Sequence, residues 1–173
     1  TEMLFIKGKF NGVETDIFID TGAQTTVISR RLPEQSNQNK NVDPAAKGMI
    51  MGVGNQMSLG RIWQLQVEIE KRFFIVSAIV LEKFEYDVLL GLDMMKRHRC
   101  SIDLSHNTLS FGLEKIQTEF VKDHIIITRR ENNVKAKLAK IQSELKVSET
   151  EAQELLRKHH MNEADVIASY RRK

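Results

Sequence analysis

The spacing of apolar and polar residues divides the chain into a β-rich part and a helical part. From Met3 to about Phe111 the pattern is typical of strands, and two apolar runs around Asn11-Gly12 predict a β-hairpin. Further along, apolar and polar residues alternate with a period of two, which predicts a strand with one buried face. The apolar positions of that segment are Trp63, Leu65, Val67 and Ile69.

Further segments complete the prediction for the β-rich part. Residues 73–81 are predicted to form a more buried strand, because β-branched and aromatic residues dominate them. Residues 88–90 and 108–111 are predicted as short strands, and 92–98 as one short helix. The stretch 33–44 is bounded by proline and rich in Asn and Gln, so we expect a surface loop there.

After Lys115 the composition becomes typical of helices. The run 125–127, three isoleucines, is predicted as one more strand, and from Glu131 onward there is neither Gly nor Pro. Capping sequences at Ser148 and Asn162 predict the starts of two further helices. The first helix is predicted to be amphipathic from apolar residues at steps of three and four. These are Val134, Leu138, Ile141 and Leu145.

Composition narrows the classes of function. Of 173 residues, 41% are apolar, which is enough to bury a core, and the net charge of +3 indicates neither nucleic acid nor an anionic membrane as a partner. The single cysteine excludes a disulfide framework and a multi-cysteine zinc site. With no signal peptide pattern and no apolar run near the ~20 residues of a membrane helix, we expect a cytoplasmic protein. The chain begins directly on a strand-like run, which leaves open that it is a piece of a longer protein.

The segment 17–24 is the strongest candidate for chemistry. An apolar strand leads Asp20 into a tight turn, in which the hydroxyl of Thr21 can hold the backbone and Gly22 allows angles that other residues resist. Taken alone, Asp-Thr-Gly indicates no more than a strand-end turn. It is followed, however, by a Gly-rich segment at 48–56, which suits a mobile hairpin, and then by two large apolar residues and a glycine. The last three are Leu89, Leu90 and Gly91.

This ordered set resembles the retropepsin-like aspartic proteases. Residues 20–24, 52–54 and 91–104 are more narrowly similar to the protease domain of the Ddi1 family, the ubiquitin-linked DNA-damage-inducible proteins. The resemblance implies an all-β retropepsin-like barrel, the acid protease fold, with one half-site per chain, followed by a small all-α bundle that resembles a UBA-like domain. The expected organisation is a protease domain, a linker or terminal strand and a UBA-like helical domain, at 1–115, 116–132 and 133–173.

Aspartic protease chemistry needs two carboxyl groups that share one proton, because like charges so close together cannot both ionise. The chain has one Asp-Thr-Gly, and Asp93 and Asp103 lie in contexts that favour structural hydrogen-bond acceptors. The second carboxyl group is therefore expected from Asp20 of a second copy, across a twofold axis. The resemblance thus implies a homodimeric aspartic-type endopeptidase that activates water, with no cofactor and no metal ion.

The resemblance also assigns roles to individual residues. Asp20, Thr21 and Gly22 would form the catalytic turn. Residues that contact the substrate would be Ala23 and the flap residues Met51, Gly52, Val53 and Gly54. Structural support would come from Leu89, Leu90 and Gly91. The protein or peptide substrate would bind in an extended conformation, as an added strand.

The helical end leaves two functions open. In the first, it recruits or positions a partner for the protease, which would link proteolysis to ubiquitin-dependent turnover. In the second, the whole chain is a non-catalytic dimeric adaptor that binds ubiquitin or nascent chains through the tail. The loop at 146–148 lacks the Met-Gly-Phe-like sequence of typical ubiquitin-binding domains, so ubiquitin remains a candidate partner only. Neither nucleic acid nor a membrane is expected as a partner.

The remaining candidates have plain structural interpretations. The charged run 96–99 is expected to be the solvated face of a short helix, and Cys100 a buried small apolar side chain. His159 and His160 fall at a predicted helix end, where a cation suits the helix dipole. Three methionines near the flap could contact substrate or fill the core. These are Met49, Met51 and Met57.

Overall fold

Strands make up most of the N-terminal part of the molecule. The computed structural model describes residues 3–50, 56–159 and 162–172, and contacts divide it into two units, Thr1–Lys122 and Asp123–Lys173. The strands of the first unit are β1 Leu4–Phe10, β2 Val13–Ile19, β3 Val27–Ser29, β4 Val42–Asp43, β5 Met49–Ile50, β6 Gln56–Ile69, β7 Arg72–Leu81, β8 Val88–Leu90, β9 Cys100–Asp103, β10 Thr108–Phe111 and β11 Ile116–Glu119. Its helices are α1 Arg31–Gln35 and α2 Leu92–Arg97.

The first unit is a closed β-barrel of mixed strand direction. Its strand order is β1-β2-β8-β3-β7-β6-β4, and β1 also pairs with β6 at Lys9 and Glu68, which closes the barrel. Most neighbouring strands are antiparallel, but β2 and β8 are parallel, as are β3 and β7. Strands β9 to β11 form a separate three-stranded sheet in the order β11-β10-β9.

One apolar core joins the barrel and the small sheet. The hairpin of β1 and β2 forms around Asn11-Gly12 as predicted, and its inward residues alternate along each strand. Side chains from both sheets are completely or almost completely buried together, and each contributes about 1.5–3 kcal/mol of burial. The largest of them are Phe10, Phe111, Ile6, Ile28, Leu65 and Leu109. The barrel therefore holds its strand ends in fixed positions.

The alternation predicted for β6 holds at three of its four apolar positions. Leu65, Val67 and Ile69 are buried, whereas Trp63 is 55% exposed. The pairing of β6 with β7 shifts register between Ile62 and Leu65, and such a bulge reverses the faces on which side chains lie. Ile62 consequently enters the core and Trp63 lies outside.

Two further predictions for the β-rich part hold only in part. In β7, the residues from Val76 to Leu81 are largely buried, but Phe73 and Ile75 are exposed. The stretch predicted as a surface loop contains part of α1, two 3₁₀ turns and β4. That stretch also buries polar side chains, because the Ser36 hydroxyl donates to the Leu32 carbonyl oxygen at 2.6 Å and so has an internal partner.

The second unit is a bundle of three helices, α3 Asp123–Leu145, α4 Glu149–Lys158 and α5 Glu163–Tyr170. The strand predicted at 125–127 is wrong, since these isoleucines lie within α3. No Gly or Pro interrupts the sequence between them and the amphipathic segment, so the helix extends through them despite their β-branched side chains. The segment expected as a linker or terminal strand, 116–132, thus divides into β11 and the start of α3.

The bundle has its own apolar core and the predicted helix starts. Its buried residues are Leu138, Ile141, Ala152, Leu156 and Val166. The Ser148 hydroxyl accepts a hydrogen bond from the Glu151 backbone nitrogen at 3.2 Å, and Asn162 caps α5 in the same way. None of the helices in the described part of the chain is long and apolar enough to cross a membrane.

Candidate active site

The barrel delivers Asp20 to a tight turn at the end of β2, beside β8. The Asp20 backbone nitrogen donates to the Leu90 carbonyl oxygen at 3.1 Å, which anchors the turn to the neighbouring strand. Within the turn, the Gly22 nitrogen donates to Oδ1 of Asp20 at 2.9 Å, and the Ala23 nitrogen donates to the Asp20 carbonyl oxygen at 3.3 Å. The Asp20 side chain is half-buried, while Thr21 and Gly22 are exposed. A single chain therefore holds this carboxylate firmly but leaves the turn open to solvent.

The apolar-apolar-glycine segment lies directly against this turn. Leu89 and Leu90 are buried, and the Leu92 nitrogen donates to the Ala23 carbonyl oxygen at 2.8 Å. A Cβ on Gly91 would lie 2.7 Å from the Thr25 carbonyl carbon and 3.0 Å from the Ala23 oxygen, closer than real contacts allow. The two segments approach this closely because residue 91 has no side chain.

Asp93 and Thr26 form a hydrogen-bonded cluster behind the turn. The Asp93 carboxylate accepts from the Thr26 nitrogen at 3.0 Å, from the Thr26 hydroxyl at 2.7 Å and from the Met94 nitrogen at 2.8 Å. The Thr26 hydroxyl in turn accepts from the Gly91 nitrogen at 3.0 Å. The structural role predicted for Asp93 is confirmed. The sequence did not indicate Thr26, because its partner is 67 residues away.

Asp103, the other aspartate considered from the sequence, is a turn acceptor as predicted. Its carboxylate accepts from the Ser105 hydroxyl at 2.6 Å, from the Ser105 and His106 nitrogens, and from the His106 ring at 2.7 Å. The hydroxyl of Ser105, followed by the ring and backbone of His106, holds the pKa of the Asp103 carboxyl well below its usual range. These bonds saturate the carboxylate and leave it with a local role.

The flap residues that were predicted to contact substrate lie outside the described residues. These positions are Met51, Gly52, Val53 and Gly54. The base of the hairpin is described: β5 pairs with β6 through Met49 and Met57 and through Ile50 and Gln56. Met57 is 55% exposed, so at this position the core-filling alternative is wrong.

The run 96–99 differs from its prediction at one residue. Its other members are exposed, but His98 is buried, with its Nδ1 hydrogen-bonded to the Glu114 carboxylate and its Nε2 donating to the Ile75 carbonyl oxygen at 3.1 Å. The ring also packs on Phe74 at 5.0 Å between centroids. The interpretation of this run as a solvated face is therefore wrong for His98.

Cys100 and the histidine pair add no chemistry to the turn. Cys100 is partly buried against the core, and this burial, with the nearby charge of Glu114, raises the pKa of its thiol to about 12. His159 caps the end of α4, and His160 lies outside the described residues. Across 3–50, 56–159 and 162–172, no group of three His, Cys, Asp or Glu side chains could hold a metal ion.

Comparison with known proteins places this architecture in a family. Residues 1–103 match the model of a family described as aspartyl protease. Protein DDI1 homolog 2 of Homo sapiens is 44% identical over 121 residues, which cover 70% of this chain, and that of Mus musculus is 43% identical with the same coverage. The crystal structure of the retroviral protease-like domain of Ddi1 from Leishmania major superimposes with a TM-score of 0.65 at 32% identity.

The matches cover most of this chain but only a part of the curated relatives. The family model covers more than half of the chain, and the Leishmania domain is covered over 97% of its length. By contrast, the chain spans about 30% of the length of the curated relatives it matches. The chain therefore belongs to the aspartyl protease family, and its barrel is a retropepsin-like domain of the Ddi1 type.

Proposed function

We propose that this chain is a homodimeric aspartic endopeptidase whose catalytic pair is Asp20 from each of two copies. The observation that carries this proposal is the anchored but open turn at the end of β2. Its carboxylate is fixed by the Gly22 nitrogen, its backbone is fixed by Leu90, and its outer residues are exposed. Such a turn can approach its own symmetry mate, and a twofold axis would place the two carboxyl groups side by side.

In this proposal the two carboxyl groups share one proton and divide two tasks. The ionised member accepts a proton from a water molecule, and that water attacks the carbonyl carbon of the peptide bond. The protonated member donates a hydrogen bond to the carbonyl oxygen and later supplies the proton that the leaving amine needs. Because water is the nucleophile, no covalent intermediate forms between enzyme and substrate.

Residues around the pair have supporting roles in the same proposal. Thr21 and Gly22 complete the catalytic turn, and Leu89 to Gly91 support it from behind. Ala23 and the flap residues 51–54 would contact an extended substrate, paired to the protein as an additional strand. The close approach of Gly91 to the turn favours the supporting role.

The test of this proposal is the substitution Asp20→Asn, with Glu14→Gln as the matched control. Both changes replace a carboxylate by its amide, but Glu14 is an exposed residue of β2 outside the turn. On a library of fluorogenic peptides, Asp20→Asn is expected to lower cleavage by about 10³-fold or more, and Glu14→Gln to leave it within about twofold. Unchanged cleavage by Asp20→Asn would contradict the mechanism.

Mixing experiments test whether the pair forms between copies. If parent and Asp20→Asn chains exchange freely and pair at random, an equimolar mixture contains about one quarter parent homodimers. Activity per parent chain is then expected to fall by about half relative to the unmixed parent. Activity that depends only on the amount of parent chain would indicate that one copy is sufficient.

A role for the helical unit is part of the proposal. Its three helices, separate core and capped starts are compatible with a UBA-like partner-binding domain, for which ubiquitin is the first candidate. In its first loop, however, Val147 packs on the core of the bundle, so it is not displayed as an apolar contact. Titration of labelled ubiquitin with the full chain tests this role. If the parent chain shows no protease activity and the Asp20→Asn chain binds ubiquitin, the results would instead favour the adaptor function.

A further inference from the structure

The Thr26 hydroxyl lies between the segment that follows Asp20 and the segment 91–93, and it hydrogen-bonds to the latter. It lies in a completely buried side chain, donates to Oδ1 of Asp93 and accepts from the Gly91 nitrogen. A hydroxyl both donates and accepts, so one atom joins the end of the turn segment to the end of β8 and to the start of α2.

Further bonds on either side make this connection continuous with Asp20. The Asp93 nitrogen donates to the Gln24 carbonyl oxygen at 3.2 Å, and the Leu92 nitrogen donates to that of Ala23. Gly91 directly follows Leu90, whose carbonyl oxygen holds the Asp20 nitrogen. A displacement of Gly91 would therefore be passed to Asp20 through two consecutive backbone groups.

We propose that Thr26 is a positioning residue for Asp20, and that its hydroxyl sets the separation of the two carboxyl groups across the dimer axis. This inference rests on the proposed function. Without the hydroxyl, the Gly91 nitrogen loses its hydrogen-bond acceptor and the Asp93 carboxylate loses one of its donors. Movement of Gly91 toward another acceptor relieves the first loss. In a twofold dimer, a shift of each Asp20 along the line that joins the pair changes their separation by twice that amount.

Such a shift has a consequence that a loss of stability alone would not have. Two carboxyl groups share a proton only while they are close, and as they separate they titrate more independently. The acidic and alkaline limbs of the pH–rate profile are then expected to move toward each other. A misplacement of about 1 Å can also lower the rate of the chemical step by up to ~10²-fold.

The experiment compares Thr26→Val with Thr26→Ser and with the matched control Thr118→Val. Thr118 is also buried, and its hydroxyl also donates to a carboxylate, that of Glu70 at 2.8 Å, but it lies in β11. Thr26→Val is expected to lower kcat by about 10- to 100-fold with little change in KM and to narrow the pH–rate profile. Thr26→Ser, which keeps the hydroxyl, is expected to restore kcat to within about threefold of the parent.

A second measurement separates this inference from the proposed function. Hydrogen–deuterium exchange at the backbone amides of Asp20, Gly91 and Leu92 needs no activity, and Thr26→Val is expected to accelerate it whereas Thr118→Val is not. If the parent shows no Asp20-dependent cleavage, the proposed function fails, while the exchange rates still test the positioning role. Unchanged exchange, or a kcat and pH profile that match those of Thr118→Val, would overturn the role of Thr26.

A milder variant covers the case in which Thr26→Val does not fold. Asp93→Asn keeps an oxygen for the Thr26 hydroxyl but places an amide group where the carboxylate now accepts from the Thr26 nitrogen. It is expected to change kcat, the pH profile and amide exchange in the same direction, by smaller factors. Thr26→Ala removes the hydroxyl without placing a new methyl group beside the Asp93 carboxylate, so it provides the decisive test in that case. Parent-like kcat and parent-like amide exchange in folded Thr26→Ala would overturn the inference.

Discussion

The carbonyl oxygen of Leu90, the last residue of one strand, accepts a hydrogen bond at 3.1 Å from the backbone nitrogen of Asp20, which directly follows a strand that is distant in sequence. These strands, β2 and β8, are parallel, and parallel neighbours need a long crossover between them. The position of the carboxylate therefore depends on the closure of the whole barrel and not only on its own turn.

Substitution Gly91→Ala tests how tightly the two segments pack. The new methyl group would lie 2.7 Å from the Thr25 backbone, so either the turn or the end of β8 must move. We expect Gly91→Ala to lower the free energy of unfolding by about 1–3 kcal/mol, measured by urea denaturation, and to reduce cleavage as well. Gly48→Ala is the control, because a Cβ at Gly48 meets no atom within 4 Å. An equal loss of unfolding free energy in the two variants would contradict this packing; the comparison is of stability only, because Gly48 belongs to the Gly-rich segment of the flap.

The buried pair of His98 and Glu114 is expected to contribute strongly to stability. His98→Ala removes one partner of a buried pair and leaves the Glu114 carboxylate without its hydrogen bond. The expected loss is about 3 kcal/mol or more in chemical denaturation. His106, whose ring also contacts a carboxylate but is exposed, provides the control His106→Ala, for which little change is expected. If His98→Ala lowers the free energy of unfolding as little as His106→Ala does, burial does not strengthen the pair of His98 and Glu114.

The thiol of Cys100 is expected to react slowly in the folded protein. Its pKa is raised to about 12 from an ordinary value of 9.0, mainly by burial, so the reactive thiolate is scarce near neutral pH. Between pH 9 and pH 12 the folded state keeps a proton that the unfolded state has lost. Stability therefore falls as pH rises through this window.

Two measurements check this expectation. Alkylation of Cys100 by iodoacetamide at pH 8 is expected to be much slower in the native protein than in denaturant. Cys100→Ala is expected to flatten the alkaline loss of stability. Equal alkylation rates in native and denatured protein would show that the thiol is not protected.

The helix starts of the second unit offer a test of its local design. Ser148→Ala and Asn162→Ala each remove a side-chain oxygen that accepts from first-turn backbone nitrogens. We expect each to cost about 1 kcal/mol in the thermal or denaturant unfolding of the helical unit, followed in the full chain. Ser143→Ala, at an exposed position inside α3, is the control and is expected to be neutral or slightly stabilising. Neutral results at Ser148 and Asn162 would contradict the caps.

Local chemistry explains which parts of the fold were predictable. The Asn11-Gly12 hairpin, the turn after β2 and both helix caps depend on residues adjacent in sequence, and each appears where its pattern indicated. Asp93 was also recognisable as a structural acceptor, because it lies at the start of a short helix.

Long-range contacts explain which features could not be predicted from the sequence. Trp63 lies within a bulge that only pairing with β7 reveals, and His98 is buried because Glu114 and Ile75 supply hydrogen-bond partners from outside its own helix. Thr26 carries no local signal for Asp93. The isoleucines at 125–127 were mispredicted for a local reason. Their own preference is for a strand, but the strongly helical sequence that follows them extends the helix through them.

The outward position of Trp63 gives the molecule an internal optical label. It is the only tryptophan in the sequence, its indole nitrogen donates to Oδ2 of Asp43 at 3.0 Å, and the guanidinium of Arg61 lies 5.1 Å from the ring centroid. Indole emission responds to nearby charges and to solvent, so its intensity and wavelength report on the neighbourhood of β4 and β6. Events that disturb this neighbourhood can then be followed by fluorescence without attaching a dye.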